Sequence, residues 1–230
     1  MYQALKNSLF EQDRHRYREI QKCVTTFNSM FNGNNIIQDD VFHIMENYVR
    51  KHDIPFELLR YGISDQEFCA CTFIREKRLF VLVNTAIPMA KQIFAAAHEL
   101  YHIYRFIDDD DSGLSERGSI LNATTIDETT TVMEDMEANA FAGSLLAPAD
   151  RIDEQMRIYG VKRGSIDLQG ILMLMEIFAI PYKAMVLRLF EEEIISENQA
   201  RDFFLIPQSE IVEQVELTGK ASRWLQIPKI

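Results

Sequence analysis

Apolar residues recur at helical spacing through the first thirty positions, at Leu5, Leu9, Tyr17, Ile20, Val24 and Phe27. That period predicts one or two amphipathic helices over 1–31. The run NGNN at 32–35 breaks the pattern. A second helix is expected in DDVFHIMENYVRKH, with Asp39 and Asp40 suited to its start and Arg50, Lys51 and His52 to its end. Pro55 and Gly62 punctuate the next stretch. The period then shortens. In EFCACTFIREKRLFVLVN (67–84) two β-rich runs flank a charged REKR, which reads as a hairpin.

Pro88 stands where a new helix begins, a place where its missing N–H costs nothing. That helix is expected to run to about Phe106. Its apolar residues (Met89, Ile93, Phe94, Ala96, Leu100, Ile103) go nearly all the way round, so it should be central and buried. The polar stretch 108–131 reads as a long loop. VMEDMEANAFAGSLLAP (132–148) is a helix ending at Pro148, and two more helices, 168–179 and 182–195, flank Pro181. The last 25 or so residues are mixed and carry the only Trp, Trp224. The fold class this implies is α+β.

Hydrophobic residues make up 47% of the 230, enough to fill a core. The net charge is −11, which repels phosphate backbones and anionic lipid unless a basic patch offsets it. RHRYR (14–18) and REKR (75–78) are short and read as solvated faces. Three cysteines argue against a disulfide framework. Cys69 and Cys71 should share one strand face as small buried hydrophobes. The N-terminus has no apolar signal core, and no apolar run is long enough to span a bilayer, so a cytoplasmic protein without membrane or nucleic-acid partners is expected.

The chemistry concentrates in AAAHELYHIYRF (95–106). His98 and His102 are four apart and so lie on one helix face. They can present two imidazole nitrogens to one ion, with Glu99 beside them to accept a proton from water. Two histidines on an otherwise apolar helix are costly to bury without a partner. A hydrolytic zinc site needs a third protein ligand. Asp108 is one position to consider, but Arg105 stands where a glycine would be needed to turn the chain back toward it. Glu134 and Glu137, three apart on the 132–146 helix, are the alternative, and spacing does not choose between them. The aspartates near 108–113 resemble the start of a calcium loop (Asp108, Asp110, Ser112, Gly113). Ser119 occupies the place of its bidentate glutamate, so the match fails.

HELYH followed by EANAFAGSLLAP resembles the ImmA/IrrE family of metallo-endopeptidases. LFVLVN before the helix and FAIPYKAMVLRL after the core are similar too, and the resemblance covers roughly 40–195. It implies a zincin-like peptidase core over 36–150, with the hairpin as its small sheet. An N-terminal helical extension (1–35), a packed helical segment (151–205) and a C-terminal tail (206–230) complete the division. It also implies Zn2+ held by His98, His102 and Glu137, with Glu99 as catalytic base; Glu137 is favoured because it directly precedes Ala138 and Asn139. The protein substrate implied is a helix-turn-helix repressor, which gives an anti-repressor role. Tyr101 stands where the family usually has glycine. It and Tyr104 are near enough in sequence to donate to an oxyanion or to crowd the cleft. The hairpin could bind a substrate backbone along an edge. Two competing readings are a DNA-associated regulator built on the helices around Pro181, and a zinc-stabilised binding protein without peptidase activity. The acids Glu191, Glu192 and Glu193 weigh against DNA.

Overall fold

Asp13 ends the first short helices and starts the long one. Its Oδ1 accepts the backbone N–H of Arg16 at 2.9 Å, satisfying one of the free donors at a helix start. The N-terminal run is therefore three helices, α1 (Gln3–Lys6), α2 (Leu9–Gln12) and α3 (Arg14–Phe31). The computed structural model describes residues 3–31, 36–108, 118–123, 126 and 131–228. The breaker at 32–35 and the calcium-like positions Asp110, Ser112 and Gly113 lie outside these. α4 (Val41–Lys51) comes next, as expected, with Val41, Met45 and Val49 on its buried stripe.

The hairpin forms where the period shortened. β2 (Phe68–Arg75) and β3 (Arg78–Asn84) pair antiparallel, with Arg75 opposite Arg78. Glu76 and Lys77 both have positive φ, the signature of the two-residue turn whose twist matches a hairpin. The sheet is larger than the hairpin. β1 (Phe56–Tyr61) pairs parallel to β3, and β4 (Gly118–Asn122) pairs antiparallel to β2, giving the order β1-β3-β2-β4. Both hairpin strands are thus interior, so the edge expected of them belongs to β1 and β4. Part of the expected 108–131 loop is a strand. A register shift between Phe68 and Ala70 interrupts the alternation of β2. In consequence Cys69 is buried and Cys71 only half-buried.

Ala70, Thr72 and Ile74 of β2 and Leu79, Val81 and Val83 of β3 are buried beneath α5 (Met89–Asp108), which contacts both strands. Thr72 is the polar exception in that row. Asn84, at the end of β3, spends its whole amide on local backbone. Its Oδ1 accepts from Ile63 and Ala86 at 2.9 Å, and its Nδ2 donates to Asp65 and Phe68 at 3.0 and 2.9 Å. That fixes the turn from the sheet into α5, which is buried on nearly every side, as its composition requires.

α6 (Met133–Leu146) lies against α5, and α7 (Ala149–Ile158) comes after Pro148. α8 (Leu168–Phe178) and α9 (Tyr182–Glu191) meet at a 102° bend, where Ala179 is left-handed. The expected tail is helical and packed: α10 (Glu197–Leu205), α11 (Gln208–Thr218) and α12 (Ser222–Leu225). Trp224 is buried and donates from Nε1 to the Glu176 carbonyl at 2.8 Å. One hydrophobic cluster runs from Ala4 to Trp224, so the four segments expected from the sequence share a core. The class is α+β with a four-stranded mixed sheet. Among the described residues, no single helix is long and apolar enough to cross a membrane.

Candidate metal centre

His98 and His102, one turn apart on α5, are both buried, and their Nε2 atoms approach to 3.1 Å. Each ring's other nitrogen faces an oxygen on or beside α6. His98 Nδ1 lies 2.9 Å from Asn139 Oδ1, and His102 Nδ1 lies 3.0 Å from Glu134 Oε1. Those oxygens accept, so each Nδ1 carries the hydrogen and each Nε2 presents a lone pair. Two lone pairs at this separation repel unless a proton or a metal cation lies between them. The polar partners thus aim both rings at one point, the arrangement by which outer groups orient metal-binding histidines.

Asp135 brings a third possible donor. Its Oδ1 lies 3.9 Å from His98 Nε2 and 3.8 Å from His102 Nε2. With the 3.1 Å histidine pair these three atoms define a circle of radius about 2.1 Å, the distance at which nitrogen and oxygen ligands hold a small divalent ion. His98, His102 and Asp135 could therefore hold a metal ion.

Glu137, the third ligand expected from the resemblance, is not brought to the histidines. Its two oxygens receive Arg16 Nε at 2.5 Å and Nη2 at 3.1 Å, and Tyr101 donates its hydroxyl to Oε2. The reason is helical phase. Asp135 and Asn139 are four apart and share the face toward the imidazoles, while Glu137, two residues on from Asp135, meets α5 at Tyr101 and α3 at Arg16 instead. Glu134 stays in the site as the acceptor for His102. Asp108, at the end of α5, falls near Cys23 and Tyr104 instead. Tyr101 is buried with its ring edge-on to His102, and its hydroxyl is given to Glu137 rather than pointed at the histidine nitrogens. Arg16, expected on a solvated face, is the residue that turns Glu137 away.

Glu99 is fully buried. Its Oε2 accepts the Ser119 hydroxyl of β4 at 2.6 Å, while Oε1 has no hydrogen-bond partner among the described residues. Ser119 lies opposite Thr72 in the β2–β4 ladder, so two hydroxyls reach toward Glu99 from neighbouring strands. Burial raises the Glu99 carboxyl pKa, opposed by His102 and by the Ser119 and Thr72 hydroxyls. Burial also pushes His98 well below its ordinary value, helped by the charge on His102. Burial lowers His102 too, but the Glu134 hydrogen bond and the Glu99 and Asp135 charges outweigh it and the net shift is upward. Glu137 is lowered overall: burial raises it, and the Arg16 and Tyr101 hydrogen bonds more than reverse that.

Sequence reasoning missed Asp135, Asn139, Ser119 and Thr72. Signals existed for three of the four. Asp135 and Asn139 form a polar i,i+4 stripe on an Ala-rich helix, and Thr72 is the one hydroxyl in a buried strand row. Ser119 could be placed only by knowing that β4 exists. Of the helices around Pro181, α8 is largely buried and α9 buries Tyr182, Ala184, Met185, Val186, Arg188, Leu189, Phe190 and Glu191. No protein-family model matches the chain, and no curated protein matches it either.

Proposed function

We propose that the chain is a zinc-dependent endopeptidase of zincin type, in keeping with its resemblance to the ImmA/IrrE family. The observation that carries the reading is the convergence of His98 Nε2, His102 Nε2 and Asp135 Oδ1 beside an unpartnered Glu99 oxygen. Two imidazoles and one carboxylate suit zinc and leave room for a fourth ligand. When bound, zinc would acidify water and polarise a peptide carbonyl.

The protein groups do the rest. Asn139 and Glu134 hold the two imidazole tautomers. Glu99 Oε1 takes a proton from the attacking water and passes it to the leaving amine, acting as base and then acid. Ser119 holds the other oxygen, so that the carboxylate keeps one orientation. A buried Glu99 also keeps the proton from exchanging freely with bulk water. A helix-turn-helix repressor is the first protein substrate to test, on the strength of the family resemblance.

The experiment is cleavage of such repressors by the wild type and by Glu99→Gln, both loaded with zinc. Cleavage should fall about 100- to 10,000-fold in the variant while its zinc content is kept. Equal cleavage would remove Glu99 from the mechanism. One observation favours a second reading, a zinc-stabilised binding protein without peptidase activity: His98, Glu99 and His102 are all nearly inaccessible. That reading predicts no cleavage by either protein, together with unfolding when His98 is replaced.

A further inference from the structure

We propose that Arg16 is a positioning residue for the metal centre, acting through Glu137 and Tyr101 to set the rotation of α6. This rests on the zinc-site reading. Asp135 and Glu137 stand two residues apart on one rigid helix, and each meets α5, Asp135 at the histidines and Glu137 at Tyr101, so holding Glu137 constrains the direction of Asp135.

α6 needs such a pin. Its buried residues run from Met136 through Leu146 without a break except the half-buried Asn139, and half of them are small: Ala138, Ala140, Ala142, Gly143, Ser144. An apolar stripe normally tells a helix which side faces the core. Here buried residues lie on every side, so a single apolar stripe does not select the rotation. Polar contacts, which tolerate little misalignment, must do so.

The contacts are suited to that task. Arg16 meets Glu137 as a two-bond fork, at 2.5 and 3.1 Å. Tyr101 adds a third bond from α5, and it stands between the two metal-binding histidines in sequence. One carboxylate therefore ties α6 both to α3 and to the helix that carries the imidazoles. Arg16 is itself held. Its Nη1 meets Glu19 at 3.0 Å, its backbone N–H is capped by Asp13, and its neighbour Tyr17 accepts from the buried Arg188 at 2.7 Å. The N-terminal helices are thus part of the site's support.

Zinc affinity, measured by competition with a chromophoric chelator, tests the proposal. Arg16→Ala and Glu137→Gln should each weaken binding about 10- to 100-fold, the usual effect of losing a group that orients a ligand. Arg16→Lys and Tyr101→Phe should fall between these and wild type. Glu57→Ala, which breaks only an exposed ion pair with Arg78, should bind as wild type. Cobalt spectra of the loaded variants should shift, because the third donor is misplaced rather than absent. The sign is decisive. If Glu137 were itself the third ligand, freeing it from Arg16 would tighten binding. Unchanged or tighter binding by Arg16→Ala, with near-ultraviolet circular dichroism showing a folded protein, overturns the proposal. If that variant does not fold, the isosteric Glu137→Gln and Tyr101→Phe decide, and wild-type affinity in both overturns it. A wild type that binds no zinc overturns the zinc reading and this inference together.

Discussion

Glu99 has two oxygens in two different situations, and the difference can be tested. Oε2 is held by Ser119, and Oε1 is buried without a partner among the described residues. Ser119→Ala removes a hydrogen bond to a charged group, worth about 1.5–3 kcal/mol. Cleavage should fall about tenfold or more through kcat, with zinc content unchanged and with Ser119→Thr restoring part of the rate. Unaltered kcat in Ser119→Ala would mean that the hydroxyl orients nothing. At this scale the sequence was partly legible. His98, Glu99 and His102 follow from a four-residue helical repeat, which is local. The third donor was not legible, because Glu134, Asp135 and Glu137 crowd one helical turn and each points differently. Glu134 orients His102, Glu137 meets Arg16, and Asp135, which was not among the expected ligands, faces the histidines. Only the rotation of α6 separates these roles, and that rotation depends on Arg16, more than a hundred positions away.

α6 and α9 approach so closely at one point that only glycine fits. A Cβ on Gly143 would stand 2.7 Å from Cδ of Arg188. Arg188 has little freedom to move aside, because its guanidinium donates to the Ala147 carbonyl at 3.2–3.3 Å and pairs with Glu191 and Glu192 at 3.0 and 2.8 Å. Gly143→Ala should therefore destabilise the protein by about 1–3 kcal/mol, as overpacking does. Urea unfolding measures it, and a variant as stable as wild type would show that the contact is soft. Element by element, the sequence revealed what local period encodes. The helices 39–52, 88–106 and 132–148 and the hairpin appeared near their expected places. β1 and β4 did not, since FELLRY and GSILN are short and gain their hydrogen bonds only from strands distant in sequence. Missing β4 also hid Ser119.

Across the whole molecule, the N-terminal helices and the last helices close on the same core as the sheet. At one junction, Arg188 of α9 is buried between Tyr17 of α3 and the carboxylates of Glu191 and Glu192. One cation faces two acids there. Burial raises Glu191 to about 6, with Arg188 opposing the shift and Glu192 adding to it. A carboxyl raised in the folded state stabilises most below its unfolded value near 4.5, where both states hold the proton. As pH rises through about 6 the folded protein must ionise a buried group, and that contribution is lost, about 2 kcal/mol in all. The stability of wild type minus that of Glu191→Gln should therefore fall between pH 4.5 and 7. A difference that stays flat or grows with pH would contradict the assignment. The expected division into extension, core, helical segment and tail reflected changes in composition along the chain. It could not reveal that these segments share one interior.

The most direct test of the metal centre is its metal content. Purified wild type offered zinc and then desalted should hold about one ion per chain, Asp135→Ala and His98→Ala should hold almost none, and Glu137→Gln should still fill at saturating zinc. A wild type that retains no stoichiometric metal, or an Asp135→Ala protein that fills as tightly as wild type, would contradict a site built from His98, His102 and Asp135.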